Sequence, residues 1–229
     1  MIRPTVSAIL HRSRHLLGFG LPPRHPNDYA THVPILVGIA STFPIVKILE
    51  FGSGLYSTLT FLNRFVCPEV RDVDSIETDP KWMSKISSAA NGDSRLRMHL
   101  VEEPIEGVLP NLALDDYDLI LVDSSTEAKR RASLLQALAG RKSLNALVAI
   151  HDFEVALYRA AAQPFRYRLE CAAYNPSTGI LWQRDPRRAT TIRGILRIIC
   201  RYSTVIQPDD VQSWSAAFRK ERGFKTSVQ

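Results

Sequence analysis

Short apolar segments alternate with segments of helical spacing through the middle of the chain, and this alternation restricts the fold more than any other feature. The clearest apolar segment is Tyr117–Asp123, in which four consecutive aliphatic residues follow Asp118. Repeated strand–helix alternation is typical of a parallel sheet that carries helices on both faces. The predicted strands are 45–51, 70–77, 95–101, 117–123 and 144–151, and the predicted helices are 29–41, 57–65, 80–90, 103–112, 127–139 and 154–162.

The alternation stops near residue 166, where two apolar segments follow each other directly. These segments, 167–172 and 179–183, are separated only by a short loop that contains Asn175 and Pro176. A loop this short predicts an antiparallel hairpin at one edge of the sheet. We therefore predict a three-layer, doubly wound α/β fold, with a mostly parallel sheet of about seven strands and a reversed edge strand.

The formal net charge of +6 is distributed unevenly along the chain. Residues 1–30 carry +3 and residues 184–229 carry +6, whereas residues 31–183 carry −3. Together with the Pro-rich stretch Leu21–Pro26, this distribution predicts a basic N-terminal arm at 1–28, one domain at 29–183 and a basic C-terminal helical extension at 184–229. Any contact with a polyanion is expected at the arms rather than at the mildly acidic domain.

The cysteine content and hydropathy exclude several classes of protein. Cys67, Cys171 and Cys200 form no CxxC pair and no zinc-binding spacing, so a disulfide scaffold is not expected. No apolar segment reaches the roughly 18–20 residues of a membrane span, and basic residues interrupt the N-terminal apolar stretch where a signal peptide would need a continuous core. The sequence therefore predicts a cytoplasmic location.

The C-terminal extension contains an amphipathic pattern. Ile192, Ile195 and Ile199 follow helical spacing, with Arg193 and Arg197 on another face. Such a helix docks its apolar face on its own domain or on a second subunit, as in a homodimer. The alternative is that it lies on an anionic membrane surface or on a polyanion.

A glycine pair and an acid predict a cofactor that contains a nucleoside. Gly52 and Gly54 follow the first predicted strand, where glycines allow a close backbone approach to a ligand at a helix N-terminus. Glu77 ends the second strand, where a carboxylate can accept hydrogen bonds from ribose hydroxyls. Ser57 stands where a dinucleotide site has its third glycine, and no phosphate-binding lysine of a P-loop follows.

Three segments in this order resemble the motifs of a known family. Leu49–Gly54, Ser75–Trp82 and Tyr117–Asp123 are similar to the first, second and fourth motifs of the class I S-adenosylmethionine-dependent methyltransferases. The resemblance covers roughly residues 29–183, includes the closing hairpin, and is closest in style to small-molecule O-methyltransferases. It implies S-adenosylmethionine as the cofactor and a small-molecule acceptor as the substrate.

The resemblance also implies roles for individual residues. Glu50, Gly52 and Gly54 would line the methionine portion of the cofactor, and Glu77 would hold its ribose. Ile105 and Glu106 would lie beside the adenine, although a solvated loop is the alternative for Glu106. Tyr56, directly after the glycines, would either form a wall of the site or pack against the domain. Asp123, at the end of the fourth strand, is a candidate for both cofactor binding and catalysis.

His151 and Asp152 end the fifth predicted strand, at the same edge as Asp123. If the acceptor is a hydroxyl, His151 is the natural base, with Asp152 orienting it or binding the acceptor. Alternatively, Asp123 and Asp152 could hold a divalent metal such as Mg²⁺, although His151 and Phe153 stand where another oxygen ligand is expected. A third interpretation is that His151 and Asp152 cap the following helix. Lys129–Arg131 is expected to be a solvated helical face.

The sequence therefore predicts methyl transfer from S-adenosylmethionine to a small molecule, at oxygen, with His151, Asp152 and Asp123 as catalytic residues. Two alternatives remain open. One is a non-catalytic cofactor-binding or scaffold subunit, and the other is an NAD-dependent Rossmann oxidoreductase. Ser57 and the terminal hairpin disfavour the oxidoreductase.

Overall fold

A computed structural model of the chain describes residues 28–124 and 127–202, with the side chain of Tyr202 outside the description. Its centre is a sheet of seven strands in the order β3-β2-β1-β4-β5-β7-β6. β7 runs antiparallel to both of its neighbours, β5 and β6, and β6 is the outermost strand beside it. The predicted fold class is confirmed. The strands are β1 (Lys47–Phe51), β2 (Asp72–Glu77), β3 (Leu96–Leu100), β4 (Leu119–Val122), β5 (Leu147–His151), β6 (Tyr167–Cys171) and β7 (Thr178–Trp182).

Six α-helices cover the sheet in the described part of the chain. They are α1 (Val33–Thr42), α2 (Ser57–Phe61), α3 (Pro80–Ala90), α4 (Ala128–Gly140), α5 (Ala156–Ala161) and α6 (Arg188–Tyr202). The bounds predicted for α3 are correct because its sequence carries clear end signals. Asp79 accepts hydrogen bonds from the Lys81 and Trp82 amides at the start of α3, and Asn91 adopts a left-handed conformation at its end.

Other predicted bounds were wrong by a few residues. Strands β1 to β6 are shorter than predicted by one to three residues at one or both ends. Residues 103–112 form a 3₁₀ helix, Ile105–Asn111, instead of an α-helix, and Pro110 lies inside it. A proline lacks the amide hydrogen that continued α-helical bonding needs.

The sheet separates two apolar clusters, and β4 shows how the sequence builds both. Ile120 and Val122 face a cluster formed with α4 and α5. Leu119 and Leu121 face the other cluster, formed with α1 and α6. Alternate side chains of a strand point to opposite faces, so a strand buried on both faces has to be continuously apolar. This is why Leu119–Val122 is the clearest strand signal in the sequence.

Helix α6 packs against the domain as part of the second cluster. Ile192, Ile195 and Ile199 are buried there, so the predicted amphipathic helix is present. The boundaries at 28/29 and 183/184 remain predictions. The Pro-rich stretch, most of the N-terminal arm and residues 203–229 lie outside the described residues. Within 28–124 and 127–202, no helix is both long and apolar enough to cross a membrane.

Candidate active site

The turn after β1 passes directly under the end of β4. Gly52 has φ +86°, and a Cβ there would overlap the carbonyl oxygen of Asp123. The Asp123 amide in turn donates to the Phe51 carbonyl at 2.9 Å. Only glycine combines this left-handed conformation with so close a backbone approach. The predicted cofactor turn and Asp123 therefore form one continuous surface.

Glu50 lies beneath this turn and is fully buried. Its Oε2 accepts hydrogen bonds from Thr58 Oγ1 at 2.6 Å and Ser75 Oγ at 2.8 Å, and Thr58 Oγ1 accepts from the Gly54 amide. Burial raises the pKa of Glu50 to about 7, partly opposed by these hydroxyl groups. In this structure Glu50 fixes the turn from below, and its contact with the methionine portion remains a prediction.

Glu77 lies beside the turn, at the end of β2, where the ribose assignment needs an acid. Its Oε2 accepts from the amide and hydroxyl of Ser53 at 3.1 and 2.8 Å. Its Oε1 accepts from the amides of Thr78 and Asp79. Trp82 Nε1 donates to the Ser53 carbonyl and holds Ser53 from the other side. Because Ser53 already occupies Oε2, a ribose hydroxyl could reach that oxygen only by displacing the Ser53 hydroxyl.

The two remaining cofactor candidates have different surroundings. Glu106 follows the buried Ile105 in the 3₁₀ helix, and its Oε2 is buried without a hydrogen-bond partner among the described residues. An orphaned carboxylate oxygen favours a ligand donor over the solvated-loop alternative. Tyr56 packs against a small cluster that contains Ala30 and Val33, so it contributes to packing before α1.

Asp123, His151 and Asp152 come together as the sequence predicts. His151 Nδ1 lies 3.4 Å from Asp123 Oδ1 and 3.5 Å from Asp152 Oδ1. Asp152 has φ +59°, and its side chain does not cap α5, whose N-cap is Val155. The helix-capping interpretation of Asp152 is therefore wrong.

Arg131 joins the two carboxylates, contrary to the predicted solvated face of α4. Its guanidinium contacts Asp152 Oδ2 at 2.7 Å and Asp123 Oδ1 at 3.2 Å, and its Nε donates to the Ser124 carbonyl at 2.8 Å. The side chain is only 7% exposed, whereas Arg130 beside it is 41% exposed. Successive residues of a helix point about 100° apart. Arg131 therefore faces the sheet edge while its neighbour Arg130 faces outward.

The segment before α1 completes the cluster. Thr31 Oγ1 lies 2.9 Å from His151 Nε2, and it donates its own proton to the Asp28 carbonyl at 3.3 Å. The Thr31 oxygen therefore accepts a hydrogen bond from Nε2–H of His151. The rings of His32 and His151 meet edge to face, with centroids 4.7 Å apart. No local motif marks Thr31 or His32, and sequence reasoning missed both.

The electrostatics of the cluster follow from burial and close charges. Burial lowers the pKa of His32 to about 3. Burial by itself lowers the pKa of His151. The hydrogen bond with Asp123 and the negative charges of Asp123 and Asp152 raise it by more, so the pKa of His151 lies above its ordinary value. For Asp123, burial raises the pKa, while His151 and Arg131 lower it by more. The cluster thus favours a charged Asp123 beside a basic His151.

Comparisons with known proteins show a likeness in fold. No protein-family model matches the chain, and no curated protein matches it. A structural-genomics protein from Corynebacterium glutamicum superposes with a TM-score of 0.52 at 16% identity, covering 79% of this chain and 91% of the other. The chain has the class I methyltransferase fold.

Two further solved structures superpose less well. Cofactor-bound Rv0187 from MTB superposes with a TM-score of 0.48 at 16% identity, covering 81% of this chain and 99% of the other. The N-methyltransferase NodS from Bradyrhizobium japonicum, in complex with S-adenosyl-L-homocysteine, gives 0.45 at 12% identity, covering 75% and 95%.

A magnesium ion does not fit between Asp123 and Asp152 in this structure. The Arg131 guanidinium contacts both carboxylates and supplies the positive charge that a cation between them would bring. The nearest further side chain is an imidazole, whereas Mg²⁺ prefers oxygen ligands in octahedral geometry. The two carboxylates are therefore bridged by an arginine and do not form a Mg²⁺ site.

Proposed function

We propose that the protein transfers the methyl group of S-adenosylmethionine to the oxygen of a small-molecule acceptor. The observation that supports this most strongly is the contact between Gly52 and Asp123, which joins the cofactor turn to the His151 cluster. A methyl donor on the turn would therefore lie next to groups that can receive a proton. Alignment of donor and acceptor is the main requirement of such a transfer.

The cofactor would bind along the ends of β1, β2 and β4. The turn at Gly52 and Gly54 would approach the methionine portion, with Glu50 supporting the turn from below. A ribose hydroxyl would replace the Ser53 hydroxyl on Oε2 of Glu77. The buried Oε2 of Glu106 would accept a hydrogen bond from the adenine amino group.

In the transfer step, the acceptor oxygen attacks the sulfonium methyl carbon in line with the bond to sulfur. The new carbon–oxygen bond forms as the carbon–sulfur bond breaks, and the electron pair of that bond stays on sulfur to give S-adenosylhomocysteine. The proton of the acceptor hydroxyl passes to Nδ1 of His151, because Nε2–H of the ring already donates to Thr31. Asp123 and Asp152, both about 3.5 Å from Nδ1 of His151, stabilise the imidazolium that results.

Calorimetry with the full-length protein tests the cofactor assignment. We expect S-adenosylhomocysteine to bind and NAD not to bind. Glu77→Ala should weaken S-adenosylhomocysteine binding at least tenfold, because the ribose loses its acceptor. Ser53→Ala should bind as well as the unaltered protein or better, and the exposed Glu102 provides the matched control, Glu102→Ala. Binding of NAD alone, or equal affinity of Glu77→Ala, would contradict the proposal.

The transfer itself is tested by release of S-adenosylhomocysteine. The protein is incubated with S-adenosylmethionine and a metabolite extract, and the product is measured by mass spectrometry. We expect release that depends on the extract and is lost in His151→Ala, while that variant still binds S-adenosylhomocysteine. Cofactor binding without release across a broad set of extracts would favour the non-catalytic alternative.

A further inference from the structure

Three potential metal ligands converge in the cluster from separate parts of the chain. His32 precedes α1, Asp123 follows β4 and His151 ends β5. One donor atom from each lies within 4.8 Å of the other two. Tetrahedral zinc with bonds of about 2.0–2.1 Å places its ligand atoms about 3.4 Å apart. The 3.4 Å between His151 Nδ1 and Asp123 Oδ1 already has this spacing, and a donor atom of His32 lies within 4.8 Å of both residues.

His32 provides an independent observation. It is 2% exposed, and neither of its ring nitrogens has a hydrogen-bond partner within residues 28–124 and 127–202. Buried polar atoms in proteins are nearly always hydrogen-bonded or bound to a ligand. A neutral imidazole carries one lone pair that can bind a metal ion. A metal ion in the cluster would therefore account for a side chain that the cofactor and the methyl transfer leave unexplained.

Thr31 orients His151 in the way a metal ligand requires. Because its hydroxyl proton goes to the Asp28 carbonyl, Thr31 Oγ1 accepts from Nε2–H of His151. The neutral ring then presents the lone pair of Nδ1 toward Asp123. Metal-binding histidines commonly donate their second ring N–H to such a partner, which fixes the tautomer and the orientation of the ring.

From this geometry we propose that His32, Asp123 and His151 bind a divalent transition-metal ion of the zinc class. Two imidazoles and one carboxylate suit Zn²⁺ or Co²⁺ and do not suit Mg²⁺. Arg131 remains in contact with Asp123 through Oδ1, and the carboxylate keeps further lone pairs for the metal ion. Three protein ligands leave a coordination position open for another ligand.

The metal site shares His151 and Asp123 with the proposed function, and the two can be tested separately. A metal ion on Nδ1 prevents His151 from taking a proton at that atom. In the loaded protein, a hydroxyl at the open position would instead lose its proton because a bound metal ion lowers its pKa. Metal binding is measured without cofactor. Cofactor binding is measured with S-adenosylhomocysteine, and methyl transfer is measured by release of S-adenosylhomocysteine from S-adenosylmethionine, so failure of one test does not imply failure of the others.

The test is a calorimetric titration of tag-free, chelator-treated, full-length protein with Zn²⁺ alone. We expect one Zn²⁺ per chain with micromolar or tighter affinity, and visible absorption bands from Co²⁺ in a tetrahedral site. His32→Gln should weaken Zn²⁺ binding at least 100-fold. Thr31→Val should weaken it about 10–100-fold, the range found when partners of metal ligands are removed.

His99 provides the matched control, because it is a half-exposed histidine beside another aspartate, Asp74. His99→Gln should bind Zn²⁺ as the unaltered protein does. Zn²⁺ should also raise the melting temperature of the unaltered protein and of His99→Gln, but not that of His32→Gln. If His32→Gln does not fold, Asp123→Asn replaces it. Absence of Zn²⁺ binding, or equal binding by a folded ligand variant, would overturn the proposal.

Discussion

At the scale of single residues, Arg131 connects the ends of two strands. It holds Asp123 after β4, Asp152 after β5 and the carbonyl of Ser124. Removing one partner of a buried ion pair leaves the other charges uncompensated, which costs far more than loss of a surface pair. Arg131 therefore contributes to the site by positioning its carboxylates.

We expect Arg131→Leu to lower the free energy of unfolding by about 3 kcal/mol. The matched variant is Arg130→Leu. Arg130 contacts Glu127 and Glu103 at the surface, so its loss should cost no more than about 1 kcal/mol. Urea unfolding of both variants measures the difference. Equal losses would mean that the buried contacts of Arg131 contribute nothing beyond a surface pair.

At the scale of elements, the turn after β1 is determined by what it passes. Gly52 and Gly92 both have positive φ, but only Gly52 has a neighbour, the Asp123 backbone, in the place of a Cβ. Replacing Gly92 by alanine therefore measures the free-energy cost of the left-handed conformation alone, and replacing Gly52 adds the cost of the close backbone approach.

Gly92→Ala should cost about 1 kcal/mol, and Gly52→Ala at least about 3 kcal/mol, because its Cβ would overlap backbone atoms. Urea unfolding checks both values. Gly52→Ala should also lose S-adenosylhomocysteine binding, while Gly92→Ala keeps it. A Gly52→Ala variant as stable as Gly92→Ala would show that the turn and β4 do not pack as described.

The sequence predicted what is encoded locally. The apolar strands, the ends of α3 and the convergence of Asp123 with His151 follow from periodicity and from the rule that parallel strands end at one edge. Arg131 could not be assigned in the same way, because its role depends on how α4 is rotated about its axis. Thr31 and His32 were missed because their contacts depend on where α1 packs.

At the scale of the whole molecule, α1 and α6, the first and last described α-helices, pack together. A Cβ on Gly38 of α1 would lie 2.6 Å from Cγ2 of Ile195 on α6. Ile195 is buried together with Ile192 and Ile199. The described part of the basic C-terminal region is therefore also part of the apolar core.

We expect Gly38→Ala to lower the free energy of unfolding by about 1–2 kcal/mol, since overpacking outweighs the gain in helix propensity. Combined with Ile195→Ala, it should cost at least about 1 kcal/mol less than the sum of the single variants. Gly194→Ala, a helical glycine with no neighbour within 4 Å, should be neutral or stabilising. Additive losses in the double variant would show that α1 and α6 do not meet at Gly38.

The hydrogen bond between Thr31 and His151 joins residues 120 positions apart. Bringing residues this far apart in sequence together costs conformational entropy, so the contact forms only when the rest of the fold holds both residues in place. A fragment that starts at residue 33 would retain the glycine turn, Glu77, Asp123 and His151, and yet lack both Thr31 and His32. The motifs that identify the fold are therefore separable, by removal of the residues before 33, from two of the groups that surround its central histidine.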